Sequence, residues 1–236
     1  MPANIAEEIQ GARVQNHSEI SSAAEVFSII DIFAGVGGLS LGAARAGFRL
    51  AAAIENDPHA MKAHRVNFPN SIHIECDVND LSGPGLLASA KVEKDATFGI
   101  IGGPPCQGFS TIGRREAKDS RNNLFGKFFS LVAEAKPTFF VAENVLGILD
   151  DQYDGIRERA FSLVRNDYTM MDPLRLQASD FGAPTSRKRV FFIGIRKGVG
   201  RIPTIDDFET RKVTVKTLVR DALFGLPVVR RDWQSE

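Results

Sequence analysis

One of the chain's two cysteines, Cys106, stands in Gly102-Gly103-Pro104-Pro105-Cys106-Gln107-Gly108-Phe109-Ser110, directly after the apolar run Thr97-Phe98-Gly99-Ile100-Ile101. A buried strand that ends in a proline-stiffened turn would hold a thiol at a fixed point, as a nucleophile requires. Gly102 and Gly103 leave room for a planar substrate, and a following helix start or nearby cations would favour the thiolate. A free cysteine is otherwise a small buried hydrophobe, and Cys76 is read that way. Two further segments could serve the same crevice. Glu143-Asn144-Val145 closes the apolar run Thr138–Ala142, where a buried carboxylate is costly unless paired. Arg187 and Arg189 lie two apart where the run Val190–Ile195 begins, so a period of two puts both on one face.

A second group of residues points to a nucleoside. Asp31-Ile32-Phe33-Ala34-Gly35-Val36-Gly37-Gly38-Leu39-Ser40-Leu41-Gly42 sets a tight glycine turn between a strand and a helix, where backbone can approach a ligand closely. Glu55, followed by Asn56, closes the next strand twenty positions after Gly35 and can accept hydrogen bonds from both ribose hydroxyls. Asp77, followed by Val78, closes the third strand, where a carboxylate can accept a bond from an adenine amino group. The dinucleotide pattern G-x-G-x-x-G is not met, because Ser40 occupies its last glycine position, which weakens a nicotinamide reading. His59 and His64 flank a helix without a further ligand pattern, so surface or capping roles are expected for them, and no metal site.

The elements that must position these residues alternate. Strand-like runs at Phe27–Phe33, Leu50–Ile54, Ile72–Cys76, Thr97–Ile101 and Thr138–Ala142 are interleaved with helical stretches at Leu39–Ala46, Pro58–Asn67, Asn122–Ala135 and Asp154–Arg165. Further strands are predicted at Tyr168–Leu174 and Val190–Ile195, then a connection at Gly198–Glu209 and a short helix at Val213–Leu223. Alternation with near-continuous apolar strands predicts a Rossmann-like, doubly wound, mostly parallel α/β sheet with helices on both faces. Ligands bind beyond the carboxyl ends of such strands, so one crevice could contain all the segments above.

Lys plus Arg and Asp plus Glu number 29 each, so attraction to a polyanion must come from local clustering. Such a cluster lies between Gly108 and Lys127, where Arg114, Arg115, Lys118, Arg121 and Lys127 face only Glu116 and Asp119. A basic stretch after a nucleophile suits closure over a phosphate backbone. Two cysteines and no secretory segment fit a reducing, cytoplasmic setting. No window approaches the roughly 20 apolar residues of a membrane span, so a soluble protein with no membrane partner is expected.

Taken together, these segments resemble the cytosine-C5 DNA methyltransferase family. The ordered motifs are matched by Asp31–Gly42, Glu55, Asp77, Gly103–Ser110, Asp119-x-Arg121-x-x-Leu124, Glu143-Asn144-Val145 and Arg187-x-Arg189, over roughly Phe27–Ile195. The resemblance implies the class I methyltransferase fold and S-adenosyl-L-methionine as methyl donor. It places Phe33, Gly35, Gly37, Gly38, Leu39, Glu55, Asn56, Asp77 and Val78 around the donor, with Pro105 near its reactive end. It also implies catalysis by Cys106, whose thiolate adds to C6 of a cytosine flipped out of duplex DNA. Glu143 then bonds the N3 and N4 edge, while Arg189 and Arg187 hold O2 and nearby groups. Residues 1–25 are read as a polar tail, 26–210 as the catalytic domain and 211–236 as a connection toward a target-recognition region.

Two departures from the family pattern stand out. Thr185 occupies a position usually held by Gln, and neither a target-recognition region nor the closing Gly-Asn-Ser-Val motif is found in these 236 residues. That leaves open a second chain supplying target recognition, a non-catalytic donor-binding or assembly subunit, and tRNA cytosine as an alternative acceptor.

Overall fold

Ser28–Ile32 (β1) carries three isoleucines and is buried along its whole length, so it can only be an inner strand with both faces covered. The computed structural model describes residues 27–93, 96, 98–105 and 122–226, with the backbone alone at 122 and 123. The tail read at 1–25, Cys106 and the basic stretch from Gly108 to Arg121 lie outside the described residues.

Parallel to β1 run Arg49–Glu55 (β2), Ile72–Glu75 (β3), Phe98–Gly102 (β4) and Phe139–Asn144 (β5). Tyr168–Met170 (β6), Leu174–Gln177 (β7) and Lys188–Arg196 (β8) follow, with β8 antiparallel to β5 and both short strands antiparallel to β8. The order is β3-β2-β1-β4-β5-β8-β6, with β7 also on β8. Chain order therefore reverses between the neighbours β1 and β4, and the crevice beyond the carboxyl ends of these two strands is where such sheets take ligands. The glycine turn follows β1 and the Gly-Gly-Pro-Pro turn follows β4, so both converge there.

The crossovers are helical: Gly38–Arg45 (α1), Pro58–Asn67 (α2), Gly83–Ala90 (α3), Asn122–Ala135 (α4) and Asp154–Ser162 (α5). In α2 the Asp57 carboxylate accepts from the backbone N–H groups of His59 and Ala60, and proline stands at the first turn, a start that costs no hydrogen bond. In α4, Phe125, Phe128 and Phe129 are fully buried against Phe140 of β5 and Phe192 of β8. Phe129 meets Phe140 at 5.4 Å and 80°, and Phe125 meets Phe192 at 5.7 Å and 73°. Edge-to-face pairs of this kind add roughly 0.5–1.5 kcal/mol beyond area burial, and they clamp β5 and β8 together under the site. Tyr168 closes the same cluster, its hydroxyl donating to the Pro137 carbonyl at 2.7 Å; burial pushes the phenol's pKa up.

Several expectations are corrected. The single strand predicted over Tyr168–Leu174 is two, β6 and β7, separated at Met171–Pro173. Pro173 has no N–H for a ladder and restricts Asp172 before it, which breaks the pairing. Helix α3 was not anticipated, although Ser82 caps it and a proline stands in its first turn. The Gly198–Glu209 connection contains Ile205–Glu209 (α6), boxed at its start by Thr204 and Asp207. The helix predicted over Val213–Leu223 forms only at Val219–Leu223 (α7), consistent with the β-branched residues that open that stretch.

Candidate functional site

On the donor side, β1 ends in Phe33, whose φ of 64° lies in the left-handed region that a bulky side chain rarely adopts. Gly35 and Gly37 continue the turn at φ 55° and 101°. Such backbone strain, on the order of 1–3 kcal/mol for a non-glycine residue, persists where the surroundings enforce it. Glu55 at the end of β2 holds the turn at Gly35. Its Oε2 accepts from the Gly35 N–H at 2.8 Å, and Oε1 accepts from the Asn56 and Asp57 N–H groups, both at 2.9 Å. Each carboxylate oxygen has more than one acceptor site, so ribose contacts remain available. A Cβ added at Gly35 or Gly38 would meet nothing within 4 Å, so the turn borders open space. One added at Gly37 would run into the Phe68 ring. Asp77 is exposed and caps a short 3-10 turn, its Oδ1 accepting from the Asn79 N–H at 2.8 Å, whereas the Val78 side chain belongs to the core. An open glycine cradle braced by the carboxylate that ends β2 fits a nucleoside-bearing donor.

On the acceptor side, register decides the geometry. Glu143 stands directly opposite Phe191 of β8, so Arg189 is its diagonal neighbour on the same sheet face. Arg189 Nε lies 2.8 Å from Glu143 Oε1 and an Arg187 terminal nitrogen lies 3.7 Å from the same oxygen. The Arg189 Nε–H does not aim along a hydrogen-bond line at that oxygen and is left without a directed partner among the described residues. The contact is therefore charge pairing, weaker in orientation than a bidentate bond. A Cβ at Gly103 would come 3.4 Å from Glu143 Oε2, so the carboxylate faces the turn that leads into Cys106.

Asn144 ties that turn down. It is buried, its amide donates to the Pro104 carbonyl at 3.3 Å, and its Oδ1 accepts from the Val145 N–H at 2.9 Å. Asn144→Ala should leave both backbone groups unpaired, lowering stability by about 1–3 kcal/mol and loosening the cysteine turn. Urea denaturation checks the first effect, and a fall in kcat larger than the change in donor affinity checks the second.

A cavity of about 540 Å³ joins the two sides. Phe33, Gly38 and Leu39 line it from the donor side, and Glu143, Arg187 and Arg189 from the acceptor side. Gly35, Gly37, Glu55, Asn56, Asp77, Val78 and Pro105 do not line it; the first four build the turn beside it. Sequence reasoning missed Leu176, Ala178, Phe181 and Phe191, which supply its apolar wall. Phe191 was legible, since it continues the period of two from Arg187 and Arg189. Leu176 was not, because its place depends on pairing opposite Arg189 across β7 and β8.

Beneath the glycine turn lies a polar chain that the sequence reading did not anticipate. His64, expected at the surface or at a cap, is fully buried. Asp31 is also fully buried, and loss of solvation raises its pKa to about 7 from an ordinary 3.8. Between those values the folded protein holds a proton that the unfolded chain has released, so this group's contribution to stability falls as pH rises from about 4 to 7 and is flat above. Asp31→Asn removes that slope. The stability of the variant relative to the parent should therefore increase by a few kcal/mol between pH 5 and pH 8, read from urea melts at both pH values.

The profile of the C-5 cytosine-specific DNA methylase family matches residues 27–228. The chain belongs to this family. It is 38% identical over 213 residues to the type II methyltransferase M.XorII of Xanthomonas oryzae pv. oryzae, covering 86% of this chain and 49% of that protein. It is 43% identical over 173 residues to the type II methyltransferase M.DdeI of Desulfomicrobium norvegicum, covering 72% and 40%. A crystal structure described as a DNA modification methyltransferase encoded within an E. coli prophage superposes with a TM-score of 0.76 at 48% identity, over 86% of this chain and 56% of that one. The chain thus spans about half the length of the curated relatives it matches. As a cytosine C-5 methylase domain it has the class I fold, with the mostly parallel sheet described above. Among the described residues no helix is long and apolar enough to cross a membrane, and no group of three metal-ligating side chains occurs.

Proposed function

We propose that this chain carries the catalytic part of a DNA cytosine-C5 methyltransferase that uses S-adenosylmethionine and a covalent Cys106 adduct. The observation that carries the reading is one cavity at the strand reversal that brings Phe33 and Leu39 of the donor turn together with Glu143 and Arg189. Bound S-adenosylmethionine supplies an electrophilic methyl group. Glu55 and the glycine turn would hold its ribose, Asp77 its adenine edge and Pro105 its reactive end.

Cytosine C5 is a weak nucleophile, and the chain's own residues would correct that. The Cys106 thiolate adds to C6, the C5–C6 electron pair is released toward C5, and C5 becomes the attacking carbon. Glu143 faces the turn that delivers the thiol, so its carboxyl group can bond the N3 and N4 edge and support a proton at N3 as charge builds. Arg189, assisted by Arg187, holds O2 and offsets the Glu143 charge. After methylation a base removes the C5 proton, the electron pair returns, and the carbon–sulfur bond breaks. The cytosine must leave the stack first, since C6 is covered within a duplex. The basic stretch around Arg114–Arg121 would close over its backbone in a reducing, cytoplasmic setting.

Target recognition is assigned to a polypeptide region or second chain beyond the matched residues. The test is transfer of labelled methyl from S-adenosylmethionine to cytosine-containing duplex DNA, with tRNA as the competing acceptor, with and without a complementing chain. Transfer to DNA supports the reading and transfer to tRNA alone redirects it. Donor binding with no transfer to either acceptor under any complementation leaves a donor-binding subunit.

A further inference from the structure

Four polar side chains that the methyl-transfer scheme does not use form one continuous line under the donor turn. The Ser40 hydroxyl donates to Asp31 Oδ2 at 2.6 Å, Ser40 Oγ meets His64 Nε2 at 3.0 Å, and His64 Nδ1 meets His73 Nε2 at 3.0 Å. Asp31, Ser40 and His64 are fully buried and His73 partly so. The line touches the turn itself. Ser40 sits in the first turn of α1, and a Cβ at Gly37 would lie 3.2 Å from the His64 ring, which packs on Phe68 with centroids 4.7 Å apart.

Counting hydrogens fixes the direction of the line. Ser40 has one hydroxyl hydrogen and gives it to Asp31, so His64 Nε2 must donate to Ser40. In neutral His64 that leaves Nδ1 bare, and His73 Nε2 must donate to it. One added proton allows the opposite direction: a protonated Asp31 donates to Ser40, Ser40 to His64 Nε2, and His64 Nδ1 to His73 Nε2. Asp31 Oδ1, buried and without a hydrogen-bond partner among the described residues, leaves the carboxyl free to take that proton. The surrounding charges are Glu55 of β2, which acts on Asp31 and His64, and Arg65 of α2, which acts on His73 and lies 3.6 Å from Glu75 of β3.

We propose that Asp31, Ser40, His64 and His73 form a positioning relay that holds the Gly35–Gly38 turn in its donor-binding shape only while the line runs from His73 to Asp31. The inference rests on the donor reading above and deepens it. S-adenosylmethionine binding then selects the deprotonated direction, and by linkage binding releases a proton wherever the free relay is protonated. Because the four groups titrate as a unit, the proton belongs to the relay and not to one residue.

The decisive measurement is calorimetric titration of the full chain with S-adenosylmethionine at pH 6 to 8, in buffers of different ionisation enthalpy. The parent should release a proton on binding near pH 6.5, and its Kd should rise by up to about tenfold per pH unit on the acid side, the limit for one linked proton. Asp31→Asn cannot take up the proton, so proton release should vanish, while His64→Gln, which can donate to or accept from Ser40, should bind with an affinity between the parent and His64→Phe. His73→Phe, at a partly exposed position, removes the far donor of the line and should weaken donor affinity at pH 8 if a His64 variant fails to fold. Nitrogen NMR of labelled histidine in the donor-free protein provides an independent reading: a bare His64 Nδ1 at pH 8 and a common titration with His73. Proton release unchanged in Asp31→Asn, affinity unchanged in His73→Phe, or independent titration of the two rings, overturns the relay while leaving the proposed function standing. A parent that binds no donor at any pH overturns both.

Discussion

Cys106→Ala is expected to lower methyl transfer to DNA by about 10⁴-fold or more, a loss typical of deleting a nucleophile, while S-adenosylmethionine affinity stays within roughly twofold of the parent. The two halves of that statement come from different parts of the molecule. The donor turn is built by β1, α1 and Glu55 of β2, whose carboxylate accepts from the Gly35 N–H. Cys106 follows β4 in sequence, and the last residue of that strand, Gly102, pairs with Ile32 on one side and Ala142 on the other. A 5-fluorocytosine oligonucleotide cannot lose a proton from C5 and should trap the parent as a denaturation-resistant conjugate at Cys106. A variant at Cys106 that still turns over, or a trapped species attached at another residue, would exclude the covalent route.

Glu143→Gln is expected to reduce kcat by about 10²–10³-fold, the cost of losing one group aimed at developing charge. Glutamine keeps the size and the acceptor but cannot supply or hold a proton at N3. It also leaves Arg189 and Arg187 facing each other without the carboxylate that now lies 2.8 Å and 3.7 Å from them. Arg189→Ala should therefore be costly alone yet add little in the Glu143→Gln background. The coupling between the two changes should be on the order of 1–3 kcal/mol. Additive effects in single-turnover assays would show that the two side chains act on separate parts of the base.

Much of this site could be read from residue order because its parts follow directly after strands. Helices Pro58–Asn67 and Asn122–Ala135 start and end where periodicity and capping place them, and the five parallel strands fall on the apolar runs. The pairing of Arg187 and Arg189 with one carboxylate follows from a period of two plus the antiparallel neighbour. What escaped reading depends on partners distant in sequence. Leu176 and Phe181 reach the cavity only because β7 pairs with β8, and His64 is buried only because Ser40, His73 and Phe68 surround it. Helix Gly83–Ala90 escaped because two glycines and a proline fill its first turn and read as a loop, and only the Ser82 cap announced it.

The antiparallel run of β8 against β5 has a consequence for how the domain could be rebuilt. Six successive backbone pairs lock the two strands, so the Glu143 carboxylate is fixed against β8, while Arg189, one residue past that ladder, is held by its pairing with Leu176 of β7. The residues between Asn144 and Lys188 are fastened along their length, by Ile148, Tyr153, Ala160, Val164 and Tyr168 in the core and by β6 and β7 on β8. Surface segments there, away from β7 and Phe181, should tolerate insertions of foreign sequence while the anion–cation clamp keeps its spacing. That makes such exposed turns places to graft new modules without retuning the chemistry.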